Sequence, residues 1–114
     1  TMTHLLRTTL RMRPDRILVG EVRGAEALDL LMAWNTGHEG GVATLHANNA
    51  RAGLDRLAML ISMHPQSPHP IEPLIAQAVH MLIHITKTPD GNRKVEEILH
   101  VSGYADGEYK TRKL

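Results

Sequence analysis

Cysteine and phenylalanine are absent from this chain of 114 residues, and one Trp and two Tyr are its only aromatics. Without cysteine there can be no disulfide and no thiolate metal site, which fits a reducing compartment. Without phenylalanine the core must be built from Leu, Ile, Val, Met and Ala. Trp34, Tyr104 and Tyr109 lie far apart, so the chain offers no aromatic ladder on which the bases of a single strand could stack. No apolar run approaches the roughly 20 residues needed to span a bilayer. A net charge of +1 excludes a uniformly basic polyanion binder. Internal repeats and low-complexity segments are missing as well. The opening Thr1-Met2-Thr3-His4-Leu5-Leu6 has no signal-peptide h-region. A chain that begins on Thr, with helical periodicity almost at once, is expected to be cut from a longer one.

What is present is globular. The hydrophobic fraction is 42%, and the length suits one small domain. Leu6 and Leu10 against Arg7 and Arg11 predict a helix over 3–13, ended by Pro14. Ile17-Leu18-Val19, within 16–22, predicts a strand buried on both faces. A helix is expected over 25–36, with Leu28, Leu31 and Met32 inward and Gly37 as its stop. Residues 41–45 read as a second buried strand. Asn48 or Asn49 then caps a helix over about 50–63 carrying Leu54, Leu57, Ala58 and Ile61 at helical spacing. A Pro- and His-containing loop leads to a helix near 71–79. A strand over 81–87, a turn at Pro89-Asp90-Gly91-Asn92, a return strand over 94–102 and a turn at 105–108 complete the chain. Helices alternating with strands predict an α/β fold, mostly parallel with helical crossovers, with a terminal antiparallel β-meander added at one edge.

Two constellations carry chemistry. In Arg16-Ile17-Leu18-Val19-Gly20-Glu21-Val22-Arg23-Gly24 an apolar strand delivers a carboxylate at its C-terminal end, where open α/β sheets bind ligands. An acid there can hold a Mg²⁺-bound water or orient an attacking one. It can equally be a solvated turn residue paired with Arg23. In Asn35-Thr36-Gly37-His38-Glu39-Gly40-Gly41-Val42-Ala43-Thr44-Leu45-His46-Ala47-Asn48 a glycine-rich loop opens onto a strand. Alternation puts Thr44, His46 and Asn48 on one face. Those groups need polar partners, and a phosphate would serve; a core histidine satisfied by its neighbours is the plainer alternative.

The other histidines form no metal signature. His38-Glu39 with His46 is not H-E-x-x-H, and His80 with His84 lacks a third ligand. Arg7, Arg11, Arg13, Arg16 and Arg23 crowd the first quarter. They could compensate a triphosphate's charge, contact nucleic-acid phosphates or form a solvated helix face.

Residues 10–24 together resemble the Walker B region of the type II/type IV secretion ATPases, and residues 37–48 resemble their His box. Gly37-His38-Glu39-Gly40-Gly41 and the tail Ile98-Leu99-His100-Val101-Ser102-Gly103-Tyr104 are most similar to the TrbB-type conjugative ATPases. The resemblance implies the C-terminal portion of a RecA-like P-loop ATPase domain, using ATP and Mg²⁺. It further implies a homo-hexamer, cytoplasmic and peripheral at the inner membrane, working with other conjugative or type IV secretion components in conjugative DNA transfer or pilus assembly. Direct DNA binding stays open. By the same resemblance Glu21 is the Walker B acid, holding Mg²⁺ through water, and His46 lies near the γ-phosphate. Thr44, Gly37, Gly41, Arg23 and Arg13 contribute to nucleotide binding. The chain departs from the family pattern in having no G-x-x-x-x-G-K-[ST] phosphate loop, no upstream acidic box and no N-terminal domain. Gly20 stands where many P-loop enzymes place an Asp. Two other readings follow: a non-catalytic module that docks to secretion ATPase subunits, or an arginine-rich nucleic-acid-binding module.

Overall fold

The computed structural model describes Met2, His4, Leu5, residues 18–37 and residues 40–114. The helix expected over 3–13 lies outside these apart from His4 and Leu5, which are helical.

Strand β1 (Leu18–Val19) pairs in parallel with β2 (Val42–Ala43), Leu18 opposite Val42 and Val19 opposite Ala43. Parallel neighbours need a crossover, and helix α1 (Glu26–Asn35) supplies it. Gly37 follows the helix with φ +101°, a left-handed conformation that costs glycine nothing and ends the helix there. Helix α2 (Ala50–Ser62) starts where the Asn49 side chain accepts the Ala52 N–H at 2.7 Å, so Asn49 rather than Asn48 is its cap. Helix α3 (Glu72–Ala78) has Pro73 in its first turn, where a missing N–H is harmless.

Strands β3 (Met81–Lys87), β4 (Arg93–Ala105) and β5 (Glu108–Lys113) form an antiparallel meander in that order. In the first hairpin the Thr88 N–H donates to Asn92 O at 2.7 Å. The Asp90 carboxylate accepts from the Thr88 hydroxyl and the Asn92 amide. These hydrogen bonds, led by that of Thr88, hold the Asp90 carboxyl below its usual range. In the second hairpin Asp106 and Gly107 both have positive φ, as a two-residue turn matching strand twist requires.

The core is aliphatic. Leu30, Leu31, Leu54, Leu60, Ile61 and Ile75 are its fully buried large side chains, and Tyr109 joins it from β5. Helix α1 packs on α2 and α3, α2 also meets β3 and β4, and α3 lies on β4. Three expectations change. Met32 is exposed, and Ala27, Leu30 and Ala33 are buried alongside Leu28 and Leu31. With two helices against α1, its covered surface is wider than a single stripe. The meander makes its own sheet instead of extending the parallel one. Because β1 and β2 pair over only two residues each, the described pairing is mostly antiparallel. Helix α2 bridges the two sheets: a Cβ built on Gly53 would lie 3.1 Å from Leu82 of β3 and 4.0 Å from Leu45 and Ala47. Finally, β2 is not buried on both faces, since Val42 is 60% exposed. Helix α2 covers the Leu45 and Ala47 side alone. Whether Ile17, Leu18 and Val19 are buried as expected falls outside the described side chains.

Candidate functional site

The exposed side of the second strand is where the polar residues gather. From Val42 to Asn48 exposure alternates residue by residue, with Thr44, His46 and Asn48 outward and Ala43, Leu45 and Ala47 half-buried. Alternation of this kind follows from extended backbone with one face packed. Beyond β1 the chain bends at Gly20 and continues without regular structure through Glu21, Val22 and Arg23. The Val22 N–H donates to Thr44 O at 2.7 Å, holding the two chain segments together past the last paired residues of β1 and β2, one residue out of their register. Val22 itself is buried, which anchors Glu21 and Arg23 on either side of it.

Glu21 is the centre of the arrangement. Its Oε1 lies 2.6 Å from His46 Nε2, and its Oε2 accepts from Arg23 Nε. The Glu21 side chain is 18% exposed, whereas His46 and Arg23 are 91% and 82% exposed. A mostly covered carboxylate thus sits between two groups that reach into solvent. The Thr44 hydroxyl donates to Gly20 O, tying the two strand ends together one residue before Glu21. With 91% of its side chain exposed, His46 is held by its contact with Glu21 and by the backbone on either side of it rather than by packing.

The turn after Glu21 is fixed by Glu26, at the first position of α1. Its Oε1 accepts the N–H groups of Arg23 and Gly24 at 3.0 and 3.2 Å. Gly24 allows the approach, since a Cβ there would meet Glu26 Oε2 at 3.0 Å. Sequence reasoning passed over Glu26; the available signal was an acid in the first turn of a helix beginning just past the Glu21 strand.

Of the residues singled out in the sequence, the structure brings Glu21, His46 and Arg23 into contact and places Thr44 beside them. The pairing of Glu21 with Arg23, weighed above as a plain turn contact, is present together with the His46 contact. Gly37 closes α1 and Gly41 leads directly into β2. Arg13, His38 and Glu39 lie outside the described residues. Two other histidines make contacts elsewhere: His64 Nε2 is 3.5 Å from Asp29 Oδ2, and His84 Nδ1 is 3.3 Å from Glu96 Oε2.

Among the described residues no three His, Asp or Glu side chains gather into a metal cage. Glu21 is a single carboxylate at a strand's C-terminal end with access to water. That donor set suits Mg²⁺, which keeps several waters and binds through one or two carboxylates plus substrate phosphates. Arg23 and His46 beside it could each donate to a phosphate oxygen.

Comparison with known proteins places this geometry in context. The family described as type II/IV secretion system protein matches residues 1–107. The chain is 48% identical to a probable conjugal transfer protein TrbB of Sinorhizobium fredii over 109 residues, covering 96% of this chain and 33% of the relative. It is 51% identical over 63 residues to the type IV secretion system protein PtlH of Bordetella pertussis, covering 55% of this chain and 19% of that one. Among solved structures, the VirB11 ATPase of the Brucella suis type IV secretion system, in complex with sulphate, superposes with a TM-score of 0.79. That match has 31% identity and covers 86% of this chain and 32% of the other. The chain therefore spans about a third of the length of the TrbB and VirB11 proteins it matches.

Proposed function

Since the chain belongs to the type II/IV secretion system protein family, on its TrbB-type side, we propose that it supplies one half of the ATP site of a hexameric motor for type IV secretion, in conjugative DNA transfer or pilus assembly. In this reading it is the C-terminal portion of a RecA-like domain. The phosphate loop comes from sequence outside these 114 residues, and the ring works at the cytoplasmic side of the inner membrane. ATP and Mg²⁺ are the ligands.

One observation carries the reading: the Glu21 carboxylate and the His46 imidazole lie 2.6 Å apart at the open ends of adjacent strands. Phosphoryl transfer depends on positioning and charge stabilisation more than on covalent chemistry from the protein. Glu21 would hold a magnesium-bound water and align the attacking one. His46 and Arg23, on opposite oxygens of Glu21, would donate to a terminal phosphate. Thr44, Gly37 and Gly41 would shape the strand and loop that present His46.

The test uses this chain joined to a phosphate-loop half that binds ATP. Glu21→Gln keeps the shape but removes the charge, so hydrolysis should fall at least about a hundredfold with ATP affinity within about threefold. His46→Ala should lower turnover about tenfold or more. Full turnover in Glu21→Gln would remove Glu21 from the mechanism, and an unchanged rate in His46→Ala would remove His46.

A further inference from the structure

Apart from its contact with Glu21, the exposed His46 depends on its backbone for its position, and that backbone runs four residues on into α2. Whatever fixes the start of α2 therefore bears on where His46 stands. Two side chains do so. Asn49 caps the helix locally through the Ala52 N–H. The second comes from far along the chain: Glu97 Oε1 accepts the Ala50 N–H at 2.9 Å across a separation of 47 residues.

Glu97 is built for this contact. The register of β3 and β4 shifts between His84 and Ile85, which pair with Glu97 and Val95. Glu96 is the extra residue of the bulge, and bulges re-aim neighbouring side chains. Glu97 thereby shares the face of Leu99, the buried side of β4 against which the helices pack. Its side chain is 21% exposed, and its second oxygen, Oε2, lies 3.9 Å from Lys113 Nζ on β5. A carboxylate at a helix N-terminus gains from both the free N–H and the helix dipole. Ala50 is itself buried, so no solvent-exposed alternative is at hand for its N–H.

We propose that Glu97 is a positioning residue for His46: by accepting the Ala50 N–H it pins the start of α2 to the meander and sets where the His46 segment stands relative to Glu21. This rests on the reading of His46 given above, and it gives the C-terminal meander a part in the site that neither strand end contains. Removal of the acceptor frees the first turn of α2, and the displacement passes through Asn49, Asn48 and Ala47 to the imidazole. An error of about an ångström at a reacting group costs far more in rate than in binding.

The first arm follows backbone amides of the 114-residue protein by ¹H–¹⁵N spectroscopy. Glu97→Ala should shift the His46, Ala47 and Ala50 resonances and speed Ala50 exchange about tenfold or more, as loss of a charge-assisted hydrogen bond does. Glu97→Gln retains an acceptor of the same length and should leave all three near their original places. Glu97→Asp keeps the charge but falls one methylene short, and should shift the same amides while the protein stays folded. Unmoved amides in Glu97→Ala and Glu97→Asp overturn the proposal, as does failure of Gln to restore them.

The second arm measures kinetics after joining to a phosphate-loop half. Glu97→Ala should lower kcat about tenfold with KM within about twofold, and Gln should recover it. Shifted amides with an unchanged kcat, where His46→Ala does lower kcat, also overturn the proposal. If His46→Ala has no effect, the role of His46 in hydrolysis fails, and the amide shifts alone then decide whether Glu97 holds the segment.

Discussion

Tyr109 shows how a single residue can be strained by its own polarity. Its hydroxyl is buried with no hydrogen-bond partner among the described residues. The ring packs edge-on to Tyr104 at 5.1 Å, and Arg51 stands 5.4 Å over its face. Burial, then the charges of Glu72 and Asp55, push its phenol up from 10.0 to about 12. The neutral form is the one the fold prefers. Stability is therefore full below about pH 10 and is lost as pH rises toward 12. Tyr109→Phe keeps the ring and removes the orphaned hydroxyl, so its melting temperature at pH 7 should equal or exceed that of the parent. Between pH 10 and 12 the parent should lose stability that the Phe variant keeps; thermal melts across that range decide. Sequence offered no sign of this. The residue reads as an ordinary strand tyrosine until Asp55 and Glu72, distant in the chain, are folded against it.

At the scale of elements, α2 carries the clearest test. Asn49→Ala removes the acceptor for the Ala52 N–H and should cost about 1 kcal/mol, a fall of roughly 4 °C in melting temperature for a domain of this size. Asn48→Ala should cost almost nothing, since Asn48 is exposed and precedes the cap. Equal losses at the two positions would refute the assignment. Elements of this kind were legible because their signals are local. Leu54, Leu57 and Ile61 at helical spacing, Gly37 past a helix end and the Asp106-Gly107 turn each state their conformation within a few residues. What local pattern could not give was partnership. Residues 41–45 read as a buried strand, yet a run of Val, Ala and Leu says nothing about whether a helix lies on both faces or one. The meander's independence from the parallel pair, the Met32 exposure and the Glu97 contact with Ala50 all depend on which elements meet. The Glu21–His46 pair was legible in part: two motifs, each placing a polar group at a strand end, converge only if the strands are neighbours in parallel register, as they are.

Taken whole, the molecule sets a carboxylate and an imidazole in contact on a small, aliphatic-cored α/β unit, and its sequence contains no phosphate loop. A backbone nest and a lysine normally carry most of the binding to the β- and γ-phosphates. The 114-residue chain by itself should bind ATP weakly and show no turnover above background. Calorimetry with MgATP and a phosphate-release assay check this, and turnover that Glu21→Gln abolishes would contradict it. The most direct test of the central claim, that Glu21 and His46 serve one phosphoryl group, is a double-mutant cycle in the phosphate-loop-completed protein. Turnover is measured for the parent, Glu21→Gln, His46→Ala and the double variant. Groups that act as a unit are strongly non-additive, so the double variant should be scarcely slower than Glu21→Gln alone. Losses that multiply independently would mean that the two side chains, though in contact, do not act together.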